Sequence, residues 1–140
     1  MENKFSEGLT KVFKQSKSEA KRLHSEFLST EHFLLGIIQT DNSAKEILEN
    51  LQADLTQIRR KIENMNVNTN PFSEEKENIS FTKLADYAVK RADLECRQYR
   101  ASEINTVHLL LGILYKMEDP TTNILSAYEI DYDSVAKEYQ

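Results

Sequence analysis

Glycine and proline are scarce: the 140 residues contain three of one and two of the other. An all-β fold needs a tight turn every few residues, so this shortage argues against one and for long helices. A single cysteine, Cys96, excludes an intrachain disulfide and makes a reducing cytoplasm the natural setting. No apolar run approaches the length of a membrane span. Nothing resembling a signal peptide precedes the first amphipathic stretch, which follows directly on Glu2, Asn3 and Lys4. Positive charge is in deficit, with 18 Lys and Arg against 23 Asp and Glu and a formal net charge of −5. That sign is wrong for replacing the counterions of a phosphate backbone, so nucleic acid is not an expected partner. The basic triplet Arg59-Arg60-Lys61 reads as a solvated helix face.

The motifs of catalysis are missing too. There is no Gly-x-x-x-x-Gly-Lys-[Ser/Thr] phosphate loop and no Gly-x-Ser-x-Gly elbow. His24, His32 and His108 lack metal spacing, and Cys96 has no cysteine partner. Cys96 falls on the apolar stripe of its helix, where a small buried thiol is the ordinary reading. No catalytic residue, metal or cofactor is therefore expected.

What the chain does have is helix-forming composition and an internal repeat. Apolar residues make up 39% and charged residues 29%, the mixture of a globular domain. The segment from Ser29 to Ile38 reads STEHFLLGII, and the one from Asn105 to Leu114 reads NTVHLLLGIL, an offset of 76 that holds back to Phe5 and Phe81. After one inserted residue the offset becomes 77, pairing Ile47 with Ile124, Leu55 with Tyr132 and Ile58 with Val135. Two tandem units follow, 5–65 and 81–139, joined by a polar linker over 66–80.

Each unit reads as four helices. The first helices span about 6–24 and 82–100, with Ser6 and Thr82 at the N-cap and Phe5 and Phe81 just before it. The second helices begin at Ser29-Thr30 and Asn105-Thr106 and are apolar nearly all round, which places them at the centre. His32 and His108 recur in their first turns and read as packing or hydrogen-bonding residues. Gly36 and Gly112 recur inside them and imply close helix approach. The third helices are short, Ser43 to Asn50 and Thr121 to Ala127, and the fourth start at Asp54 and Asp131. One unit alone has a thin core. The expectation is an all-α fold of eight helices, two four-helix repeats packed with pseudo-twofold symmetry. With that packing satisfied inside the chain, the isolated domain is expected to be monomeric.

The doubled [Ser/Asn]-Thr-x-His-[Phe/Leu]-Leu-Leu-Gly-Ile resembles the Thr-Glu-His-[Ile/Leu]-Leu-Leu-[Gly/Ala] signature of Clp N-terminal repeats, most closely the ClpC branch. The resemblance covers Phe5 to about Tyr139. It implies the N-terminal domain of a hexameric ATPase that unfolds proteins for a partner peptidase. Such a domain recruits adaptor proteins and substrates and has no catalysis of its own. Nucleotide-binding modules would follow Gln140; the abrupt end favours an excised domain. A stand-alone adaptor or regulatory binding protein is the alternative. The resemblance further implies phosphoarginine recognition by the first-helix Thr and the Glu of Thr-Glu-His, hence one site of Ser6 and Glu31. The second site keeps Thr82 but has Val107 at the Glu position. A carboxylate suits the guanidinium, and a helix N-terminus suits the phosphate. Loss of a charged hydrogen bond, about 1.5–3 kcal/mol, leaves the second site weak or dead.

Overall fold

Polar side chains at the helix starts accept the amides that no helical carbonyl can reach. The computed structural model, which describes residues 4–65, 80–115 and 120–140, shows this in both halves of the chain. Ser6 Oγ accepts from Leu9 N–H at 3.1 Å and starts α1, Glu7–Arg22; Thr82 Oγ1 accepts from Ala85 N–H at 3.1 Å and starts α5, Lys83–Gln98. Asn42 starts α3, Ser43–Asn50, and Asp131 starts α8, Tyr132–Tyr139, in the same way. Asp54 accepts from Gln57 N–H at 3.1 Å ahead of α4, Leu55–Met65. The remaining helices are α2, Thr30–Gln39; α6, Thr106–Leu114; and α7, Pro120–Ser126.

α2 and α6 lie at the centre, as their uninterrupted apolar runs require. Phe33, Leu34, Leu35 and Ile37 have no exposed surface, nor do Leu109, Leu110, Leu111 and Ile113. α1 lies on α2 and α5 on α6 so closely that the glycines are obligatory. A Cβ at Gly36 would sit 2.6 Å from Val12 O and against Ser16 Oγ; one at Gly112 would collide with Ala88 O. Val12 and Ala88 are 76 residues apart, so both repeats use one contact. Gly112→Ala is expected to destabilise by about 1–3 kcal/mol, because backbone cannot yield as a side chain can. Gly8→Ala, with nothing nearer than 3.8 Å, should be neutral or stabilising. Urea titration of both checks this; an unmoved midpoint for Gly112→Ala would mean that α5 and α6 part freely.

The chain is not helix and loop alone. Four two-residue strands occur among the described residues: β1, Lys4–Phe5; β2, Phe27–Leu28; β3, Ser80–Phe81; and β4, Glu103–Ile104. They form two parallel pairs, β1 with β4 and β2 with β3. Each strand before a first helix therefore pairs with the strand before the second helix of the other repeat. The register obeys the offset of 76: Phe5 faces Ile104, and Phe81 faces Leu28. Ser6 N–H donates to Ile104 O at 2.8 Å, and Thr82 N–H to Leu28 O at 3.0 Å. Ser80, read from sequence as the last linker residue, is strand; residues 66–79 of that linker lie outside the described residues.

Candidate functional site

The strand exchange decides which helix ends meet. α1 and α2 run antiparallel, since Gly36 sits against Val12 and Ser16 while the Glu19 charge acts on His32. Glu31 therefore stands near the C-terminal end of α1. Ser6 caps the other end, roughly 20 Å away at 1.5 Å per residue. The expected Ser6–Glu31 pair is not assembled. The parallel pairing of β2 with β3 instead brings the N-terminus of α5, capped by Thr82, alongside that of α2, which carries Glu31. Ser6 lies beside the other junction, where a Cβ at Gly8 would be 3.8 Å from Thr106 Cγ2. There Val107 is fully buried. These residues are therefore brought together across the repeats, Thr82 beside Glu31 and Ser6 beside Val107.

At the first junction Ser29 hydroxyl donates to Glu31 Oε1, and Glu31 is half-buried. Two positive helix ends and one carboxylate thus converge. The other residues of the repeated motif are committed to the scaffold. The Thr hydroxyls tie the repeats together: Thr30 Oγ1 is 3.0 Å from Thr121 Oγ1, and Thr106 Oγ1 accepts from Ala44 N–H at 3.1 Å. The His rings close the caps. His32 Nδ1 accepts from Ser29 N–H, and His108 Nδ1 from Asn105 N–H, both at 3.0 Å. That leaves Ser29 and Glu31, bonded to each other, as the partly exposed residues of the motif.

An aromatic ladder runs past this junction. Phe5 and Phe13, Phe13 and Phe33, and Phe33 and Phe81 meet edge to face, with centroids 5.1, 5.4 and 5.6 Å apart. Its inner rungs are packed, while Phe5 and Phe81 remain about two-fifths exposed, and Phe27 on β2 is 50% exposed.

Two buried carboxylates went unread in the sequence. Glu95 is fully buried, held by Arg91 at 2.6 Å and by Tyr132 OH at 2.7 Å. Burial and the bond to Glu95 push the Tyr132 hydroxyl up to about 12, so it stays a donor. Glu19, its counterpart 76 residues earlier, is 5% exposed and bonded to Arg22 at 2.9 Å. The repeated acidic position on a buried helix face was the available signal. Cys96 is buried with Sγ 3.4 Å from Ala101 O, and desolvation raises its thiol. Among the described residues no three His, Cys, Asp or Glu side chains come close enough to hold a metal.

The model of the Clp repeat (R) N-terminal domain matches residues 4–128. A probable ATP-dependent Clp protease ATP-binding subunit of Chlamydia pneumoniae is 30% identical over 139 residues, 99% of this chain and 16% of that protein. The chain thus spans about a sixth of the length of the curated relatives it matches. The Hsp104 N-terminal domain of Candida albicans superposes with a TM-score of 0.79 at 18% identity, covering 96% of this chain and 88% of that one. The N-domain of ClpV, solved in complex with a VipB peptide, gives 0.76 at 15% identity, with 97% and 84% covered. On a family match that takes in most of its length, and on the fold those structures share, this chain belongs to the Clp repeat N-terminal domain family.

Proposed function

We propose that this chain is the protein-docking part of an ATP-dependent Clp unfoldase subunit. It recruits adaptors and substrate proteins in a reducing cytoplasm, and chemistry and ring assembly reside in the rest of the parent protein and its peptidase. The observation that carries this reading is the partly exposed pair of rings, Phe5 and Phe81, that ends the aromatic ladder beside converging helix ends, with most of the motif spent on the scaffold. The VipB peptide on the related ClpV N-domain supports it. Proteins tagged with phosphoarginine are the substrate class that fits the Thr82–Glu31 junction. The two helix ends suit the phosphate and Glu31 the guanidinium. The Ser6–Val107 junction offers no carboxylate, so one site per chain is expected.

Titration calorimetry with free phosphoarginine tests the site. Glu31→Ala should weaken binding about 10- to 100-fold. Thr82→Ala should weaken it as well, and Ser6→Ala should leave it unchanged. No binding heat, or indifference to Glu31→Ala, would remove phosphoarginine from the proposal. Loss with Ser6→Ala alone would return the site to a within-repeat pairing.

A further inference from the structure

The two repeats differ sharply on the outer faces of their first helices. α5 exposes Leu84 (41%), Tyr87 (44%) and Leu94 (45%). The residues 76 positions earlier on α1 are Gly8, Lys11 and Ser18. The scaffold therefore folds with a polar face at this place, and the apolar face of α5 answers to something outside the repeat. Steps of three and seven put Leu84, Tyr87 and Leu94 in one stripe. Arg91, between them on the same stripe, is turned to Glu95 and lies 3.5 Å over the Tyr115 ring. Alongside runs a charged stripe, Asp86, Lys90, Asp93 and Arg97, whose signs alternate. Within the helix Lys90 pairs with Asp86 at 2.9 Å and Arg97 with Asp93 at 3.1 Å.

The alternation selects the occupant. Two copies of α5 laid antiparallel about a twofold axis set each stripe against its own copy. In the register that puts Lys90 opposite the second copy's Asp93, Asp86 falls opposite Arg97. Each pairing occurs twice. Tyr87 then lies within about 3 Å of Leu94 along the axis, so apolar and charged stripes match together. A parallel twofold pair would put the two charged stripes on opposite flanks of the seam, where neither meets its copy. We propose that two copies of this domain associate, weakly and reversibly, through antiparallel contact of their α5 outer faces. The sequence alone leads to a monomer, because the repeat cores complete each other within the chain. The α5 face lies outside that packing, since the core side of the helix is Ala85, Ala88, Ala92 and Cys96.

Sedimentation equilibrium of the 140-residue chain, from about 10 µM to about 1 mM, reads the association. The weight-average mass should climb above 16.2 kDa as concentration rises. Leu94→Lys should weaken association about tenfold or more. Lys90→Asp and Asp93→Lys should each weaken it about three- to tenfold, by opposing like charges. An equimolar mixture of those two variants should recover it, because the altered charges complement one another across the axis. All three positions are on the surface, so an unchanged helical circular dichroism signal confirms that the variants are folded. A monomer throughout, association indifferent to Leu94→Lys, or a mixture no stronger than its separate components would each overturn the proposal.

Discussion

Arg91→Ala is expected to destabilise the domain by about 3–5 kcal/mol, the cost of stranding a buried charge. Glu95 has no exposed surface. Arg91 reaches it through Nη2 at 2.6 Å and Nε at 2.7 Å, a forked arrangement that satisfies one carboxylate oxygen twice. Tyr132 OH supplies the other oxygen. Burial alone would depress the Arg91 guanidinium, but its bonds to Glu95 hold it above its usual value. Truncation leaves the carboxylate with a single neutral donor and uncovers the Tyr115 face. The first repeat provides the comparison. Glu19 is bonded to Arg22, whose side chain is 43% exposed, so water can replace the guanidinium and Arg22→Ala should cost about 1 kcal/mol or less. Urea titration of both variants checks the contrast. Equal costs would mean that burial of Glu95 is not what makes its partner indispensable. The paired change Arg91→Met with Glu95→Leu should recover most of the loss, because two well-packed apolar side chains need no partner.

The helices were legible because their determinants are local. Ser6, Asp54, Thr82 and Asp131 announce their caps within one turn, and the apolar runs of α2 and α6 reveal their depth without knowledge of the neighbours. Gly36 and Gly112 gave away the close helix approach because the repeat printed it twice. The strands were not legible: two residues carry no period, and their pairing depends on how one repeat closes on the other, across roughly a hundred residues for β1 and β4. The candidate site failed at that point. Ser6 and Thr82 were assigned to the wrong partners because the units were read as self-contained, whereas the strands pair across the repeats. The contrast between Leu84, Tyr87, Leu94 and Gly8, Lys11, Ser18 was present in the alignment of the halves. Recognising it as surface needed the burial pattern.

The second large effect is acid sensitivity centred on His32. Its counterpart His108 is satisfied on both ring nitrogens: Nδ1 by Asn105 N–H, and Nε2 by Tyr139 OH at 3.2 Å. The offset of 77 puts Ile62 where Tyr139 stands. His32 Nε2 is accordingly buried with no hydrogen-bond partner among the described residues, and the ring has no exposed surface. Burial, opposed in part by the Glu19 charge, depresses its pKa from 6.5 to about 4. The folded ring is neutral where the unfolded one takes up a proton. Stability from this group is complete above about pH 6.5 and is lost as pH falls toward 4, by up to about 3 kcal/mol. Desolvation depresses His108 as well and adds to the loss in the same direction. Thermal melts between about pH 7 and pH 5, above most carboxylate titrations, should show the decline. In His32→Asn the decline should be shallower. A His32 ring that titrates near 6.5 by NMR would refute the assignment. Ile62→Tyr should supply the missing acceptor, worth about 1 kcal/mol at neutral pH, against the strain of a larger ring at a fully buried position. Nε2 keeps its proton in both charge states, so the bond survives protonation and should also lift the depressed His32 pKa part of the way back, making the acid loss shallower.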